Sequence, residues 1–131
     1  DFLCEYSFTH GTDVSSDHPL LYMPANRLNA SASVKLPEWK IFSNIQLGMV
    51  NLYAFEQRRY IEEQDFIPPP EAYNLLGLNL SSETNFWKLK TKLYVRVDNL
   101  LNVSYRDYLN RLRYFADDLG ISAMAGVKIS F

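Results

Sequence analysis

Cysteine is almost missing from this chain: Cys4 stands alone. An internal disulfide is excluded, and so is a cysteine-rich zinc site. Histidine is nearly as scarce. His10 and His18 flank Asp13 and Asp17 in one polar stretch, short of the three or four converging ligands a metal needs. No metal and no cofactor is expected. The net charge is -2, so no basic field invites nucleic acid. Neither a glycine-rich phosphate loop nor a G-x-S-x-G elbow occurs. The carboxylates lie in loops without a paired setting, and the chain reads as non-enzymatic. No run approaches the roughly 18 consecutive apolar residues of a membrane helix. That excludes spanning by helices only, because a membrane β-barrel hides its apolar signal in alternation. The chain starts on Asp1 without a signal-peptide pattern. It is expected to be processed, or to be a piece of something longer.

What is present is aromatic and alternating. Aromatics make up 15% of the residues, with nine Tyr and eight Phe. In the closing stretch Ile121, Ala123, Ala125, Val127, Ile129 and Phe131 share one face. Ser122, Met124, Gly126, Lys128 and Ser130 share the other. Period two marks a strand with two unlike faces. Trp87, Leu89, Thr91, Leu93, Val95 and Val97 likewise oppose Lys88, Lys90, Lys92, Tyr94, Arg96 and Asp98. The same pattern runs through Phe2–Thr9 and Leu28–Leu36, and less cleanly through Asn44–Tyr53 and Ala72–Leu80. Six antiparallel strands are expected, near 1–9, 27–36, 44–54, 72–81, 86–104 and 119–131, in one meander.

The connections alternate in length. Those at 10–26, 55–71 and 106–119 are long, and those at 37–43 and 81–85 are short. Outer-membrane barrels have this asymmetry, with short turns on the periplasmic side and long loops outside. Trp39 and Trp87 fall at the short turns, and Tyr53, Phe55, Tyr73 and Tyr105 toward the long loops. Two such belts suit a membrane with an interface on each side. An open sheet edge in lipid leaves backbone groups unpaired, and the small barrels have about eight strands. Six strands therefore predict part of a larger barrel.

In that frame the stretches "HPLLYMPANRL", "EQRRYIEEQDFIPPPEAYNLLGLNL", "VRVDNLLNVSYRDYLNRLRYF" and "GVKISF" resemble the C-terminal end of a TonB-dependent outer-membrane receptor. The loop "YRDYLNRLRYFADD" is similar to the variant in receptors of Bacteroidetes-type bacteria. The order and spacing of the stretches match across nearly all the chain. Asp118-Leu119-Gly120 stands where the family often has Pro-Gly-Arg. The resemblance implies an all-β fold: residues 1–131 would form the six C-terminal strands of a single transmembrane barrel of about 22 strands. The plug domain and the N-terminal strands would lie elsewhere in the protein. It further implies import of a scarce nutrient across the outer membrane of a Gram-negative bacterium. The ligand would be a ferric siderophore or other iron complex, haem, cobalamin, a metal or a glycan. The partners implied are the remainder of the receptor, membrane lipid, the TonB complex acting through the missing part, and the barrel assembly machinery. Phe131 would be the terminal aromatic of the assembly signal.

Two sets of residues are candidates for function. Glu5, Lys88, Lys90, Lys92, Tyr94 and Arg96 would face the lumen and, toward the short-turn end, the plug. Arg58, Arg59, Tyr60, Arg111, Arg113 and Tyr114 lie in the outer loops. Arg and Tyr together suit an anionic, planar ligand through bidentate bonds and stacking. The competing reading of these arginines is surface pairing with Glu62, Glu63, Asp65, Asp117 and Asp118. Alternation and aromatics alone suit a soluble antiparallel carrier of the lipocalin type equally well. A passive outer-membrane channel would share the barrel and lack the plug.

Overall fold

The computed structural model describes residues 1–61, 65–87 and 89–130. Lys88, Phe131, Glu62 and Glu63 lie outside the described residues. The strands are β1 (Phe2–Ser7), β2 (Arg27–Lys35), β3 (Ser43–Ala54), β4 (Tyr73–Phe86), β5 (Leu89–Asp98) and β6 (Ser122–Ser130). They form one antiparallel meander in chain order, with β1 and β6 at its two edges. The six expected strands are all present, with boundaries moved by a few residues and two of them, the ends of β4 and β5, moved furthest.

The first shift is at β4, which runs on to Phe86 through residues expected to turn. Ser81–Asn85 reads as polar, yet Glu83 pairs with Lys92 and Thr84 with Thr91. A polar run suits the strand here because Glu83 and Thr84 land opposite compatible partners. The reversal comes after Phe86, which pairs with Leu89, and Trp87 takes the positive φ of 48° that a tight hairpin needs. The second shift is at β5, which stops at Asp98 instead of running to 104. Asn99 and Asn102 both take φ 50°, a region Asn tolerates better than most residues. Asn102 N–H donates to the Asn99 carbonyl. The run Asn-Leu-Leu-Asn is therefore a turn.

The register fixes what each face carries, since paired residues point to the same side. One row reads Phe2, Ala32, Met49, Leu78, Val97, Ala123 across all six strands. A second reads Val34, Leu47, Leu80, Val95, Ala125. On the opposite side a row reads Ser33, Gly48, Asn79, Arg96, Met124, and another Glu83, Lys92, Lys128. The apolar face has a polar exception at Asn51 and Asn74, which bond to each other at 2.8 Å. The polar face is less pure, interrupted by Leu3, Val50, Leu52 and Leu75.

The apolar face lies open. Phe2 is 75% exposed and Val127 62%. Among the described residues the buried hydrophobic ones are Met23, Ala54 and Tyr108, gathered where the three long connections (8–26, 55–72 and 99–121) meet the sheet. No helix is long and apolar enough to cross a membrane among the described residues, which says nothing about crossing by strands.

Candidate functional site

The long connections bond to one another at one end of the sheet, and the site is built from that convergence. Arg27, Ala54 and Tyr73 stand side by side in register, on β2, β3 and β4. Ala54 is small and buried, which lets its two long neighbours lean together above it. Both meet Asp107 from the third connection: Arg27 Nη2 reaches Oδ2 at 2.5 Å and Tyr73 OH donates to it at 2.8 Å. The other carboxylate oxygen accepts from Leu109 N–H. Asp118 accepts from the Asp107 N–H and from Asn110 Nδ2. The third connection thus closes on itself before it is anchored to the sheet. Asn99 does the same at its root, bonding both backbone groups of Val103 and the Leu119 carbonyl.

The second and third connections are joined by a buried cation. Arg113 is 1% exposed. Its guanidinium pairs with Asp65, donates to the Pro68 carbonyl, and lies between the rings of Tyr108 and Tyr114, at 5.0 and 4.8 Å. Tyr114 OH also donates to Asp65. That bond holds the Tyr114 hydroxyl up at about 12, since ionising the phenol beside a carboxylate is unfavourable. The first and second connections are joined by Gln57 and Arg59. Gln57 Nε2 donates to the Met23 carbonyl at 2.5 Å. Arg59 Nη2 donates to the Pro24 carbonyl and to Asn26 Oδ1, with its guanidinium 5.0 Å from the Phe8 ring.

The six loop residues singled out from sequence thus divide. Arg113, Tyr114 and Arg59 are engaged inside the loop assembly, bonding one connection to another. Arg58 is exposed and paired locally with Glu56. Tyr60 and Arg111 are exposed. Of the acidic partners weighed for these arginines, Asp65 takes Arg113, while Asp117 takes Arg106 and Ser104. Those two partners hold the Asp117 carboxyl below its ordinary range, the Ser104 hydroxyl contributing most.

The wall residues Glu5, Lys90, Lys92, Tyr94 and Arg96 all stand on the polar face, by register. Lys90, Lys92 and Lys128 line a polar hollow near the short turns with Glu83, Asn85 and Ser130. Tyr94 lies against Gly126, where any Cβ would meet its ring. Arg96 pairs along its own strand with Asp98. Lys88 and Phe131, assigned from sequence to this wall and to the assembly signal, lie outside the described residues.

Sequence reasoning missed Arg27, Tyr73, Asp107 and Gln57. Arg27 and Tyr73 carried a usable signal, because alternation puts both on the polar face at strand ends. That they share Asp107 needed the register. Among the described residues no three His, Cys, Asp or Glu come together as a metal site. His10 stacks on Phe8.

No protein-family model, no curated protein and no solved structure matches this chain.

Proposed function

We propose that this sheet is wall and outer loop of an outer-membrane transport barrel, in a receptor of the TonB-dependent type that imports a scarce nutrient. One observation carries the reading: the apolar face extends over six strands and is left uncovered, while the long connections gather at one end of the sheet, where the third reaches Arg27 and Tyr73 on the polar face. In water an exposed face of this size is costly, at about 25 cal/mol for each Å² that could be buried. A sheet with one apolar face needs a second layer. Here lipid is that layer, and the polar face lines the lumen. Strand lengths support it. β2 to β6 have 9, 12, 14, 10 and 9 residues, against about 9–11 for a tilted membrane strand. The ends support it too. Trp39, Phe42, Phe86 and Trp87 ring the short-turn end in two stacked pairs. Tyr6, Tyr53 and Phe55 cluster edge-on at the other.

The two edges, β1 and β6, each carry a row of backbone groups that lipid cannot satisfy. They pair with further strands of the same protein, and the barrel closes at about 22 strands around a plug. On this reading the Lys90, Lys92 and Lys128 hollow faces the interior. Tyr60, Arg58 and Arg111 are the outer residues left open to an anionic ligand, because Arg113 and Arg59 are engaged internally.

The test is fractionation of the producing cell, followed by uptake of labelled ferric chelates, haem, cobalamin and glycans with and without proton motive force. Outer-membrane recovery and energy-dependent uptake of one of these is the expected result. A protein that is folded and soluble without detergent points instead to a lipocalin-like carrier. Energy-independent leakage of small solutes points to a passive channel.

A further inference from the structure

At the short-turn end the polar face holds three ammoniums in one hollow. Lys90, Lys92 and Lys128 line it, and its volume is about 410 Å³, inside the range of about 300–1,000 Å³ common to small-molecule sites. The register explains the convergence. Lys92 stands directly opposite Lys128, and residues so paired have Cβ atoms about 4.5–5.5 Å apart. Lys90 is two residues along β5 and therefore on the same face, about 7 Å away. Flexible four-carbon stems on such a triangle can bring all three Nζ atoms to one point.

Like charges directly opposite each other destabilise a sheet. The carboxylate that would offset them is Glu83, opposite Lys92 on its other side. Glu83 Oε2 accepts from Asn44 Nδ2 at 2.8 Å, and among the described residues none of the three lysines is ion-paired. Three ammoniums and one carboxylate leave two positive charges in excess in the hollow. Asn85 and Ser130 stand in register with Lys90 and add an amide and a hydroxyl as neutral donors. Every cation lining the hollow is lysine. Lysine binds phosphate as a point charge, whereas planar, bidentate recognition of a carboxylate favours arginine. A doubly charged, tetrahedral phosphoryl group fits both the charge excess and the three-cornered set of donors.

We infer that this hollow is a binding site for a phosphoryl dianion, free or as the terminal group of a small monoester, with Lys90, Lys92 and Lys128 on its oxygens. The inference rests on the polar face and its register alone, so it stands or falls apart from the membrane reading.

The experiment titrates the full natural protein by calorimetry, in the medium that keeps it folded and with chloride as the only other anion. The probes are inorganic phosphate, glycerol 3-phosphate, dimethyl phosphate and tricarballylate. Inorganic phosphate or glycerol 3-phosphate should bind at pH 8 and bind about tenfold more weakly at pH 5, where the second proton, with a pKa of about 6, returns. A preference for glycerol 3-phosphate identifies a monoester as the ligand, and equal or tighter binding of inorganic phosphate identifies the free ion. Dimethyl phosphate, with its single charge, should not compete. The three lysines are exposed, so their variants keep the fold. Lys92→Gln and Lys128→Gln should each weaken binding about tenfold or more, the loss of one charge-assisted hydrogen bond. Glu83→Gln should strengthen it, a change that a merely structural carboxylate would not give. Lys35→Gln, on the same face but outside the hollow, should change nothing. Binding of neither phosphate nor its monoester, equal binding of tricarballylate, or affinity unchanged in both lysine variants overturns the inference. Fractionation of the cell, which decides the membrane reading, bears on none of these outcomes.

Discussion

At the short-turn end the chain reverses in a few residues and leaves its aromatics in the open: Trp39 is 61% exposed and Trp87 85%. At the long-loop end three connections bond to one another and bury Gln57, Arg113 and Tyr108. One end is held by backbone pairing and by rings stacked in twos. The other is held by side chains that reach from loop to loop through carboxylates, carbonyls and aromatic faces. The loops are therefore a built cap rather than slack, and their strength depends on a handful of polar atoms. The sheet depends on alternation spread over many positions. The contrast implies opposite sensitivities, with the cap failing at single residues and the sheet failing only where a face is violated.

The sharpest way to break the comparison is Arg113→Ala. It leaves the part-buried Asp65 carboxylate without its cation and the Tyr108 and Tyr114 rings without the guanidinium that both face. Breaking a buried pair by removing one partner costs about 3–5 kcal/mol. The loss should be confined to the cap. Hydrogen exchange and limited proteolysis should rise at 65–72 and 99–121 while strand amides keep their protection. Arg113→Ala with Asp65→Ala should recover part of the loss, because the stranded charge is gone. Uniform deprotection of β3 and β4 by the single variant would mean that cap and sheet are one cooperative unit.

Leu93→Arg against Lys92→Leu tests the sheet in the same spirit. The two residues are neighbours on β5 and point to opposite faces. If lipid covers the apolar face, an arginine at mid-depth costs about 2–4 kcal/mol. Lys92 stands in register between Glu83 and Lys128, so the leucine gives up one opposite-charge neighbour and sheds one like-charge neighbour, exposed terms of a few tenths of a kcal/mol each that largely cancel. Folded yield in bilayers should fall for Leu93→Arg and hold for Lys92→Leu. Equal yields would remove the distinction between the two faces and the membrane reading with it.

This difference between the ends also explains what a bare sequence can and cannot show. The six strands and their faces are periodic, and period two is visible wherever a face is consistently apolar. The β4 end escapes sequence reading because Ser81–Asn85 has turn composition, and only Lys92 and Thr91 across the sheet make it a strand. The β5 end escapes it because Leu100 and Leu101 continue an apolar pattern, while the deciding factor is the left-handed backbone at Asn99 and Asn102. In the cap, Arg113 and Asp65 are 48 residues apart, with no period linking them. An exposed arginine and a buried one look alike in sequence. Sequence groups Arg58 with Arg113 for that reason, and their environments separate them.

The smallest effect expected is a difference in how the cap responds to acid and alkali. Asp117 is held below its ordinary range by Ser104 and Arg106. Its contribution is present above the unfolded carboxyl pKa and is lost as pH falls through the depressed folded one. Those bonds lie within the third connection, so acid should loosen 104–117 as Asp117 is neutralised. Tyr114 behaves in the opposite sense. Its hydroxyl is raised from 10.0 to about 12 by Asp65, so its contribution is complete below pH 10 and declines as pH rises toward 12. That bond bridges two connections, so alkali should release 65–72 and 99–121 together. Tyr114→Phe removes the titrating group and should flatten the alkaline arm while leaving the acid arm unchanged. Protease accessibility of the two segments across pH, in wild type and variant, reads both arms. An alkaline arm that persists unchanged in Tyr114→Phe would show that the Tyr114–Asp65 bond is not what alkali breaks.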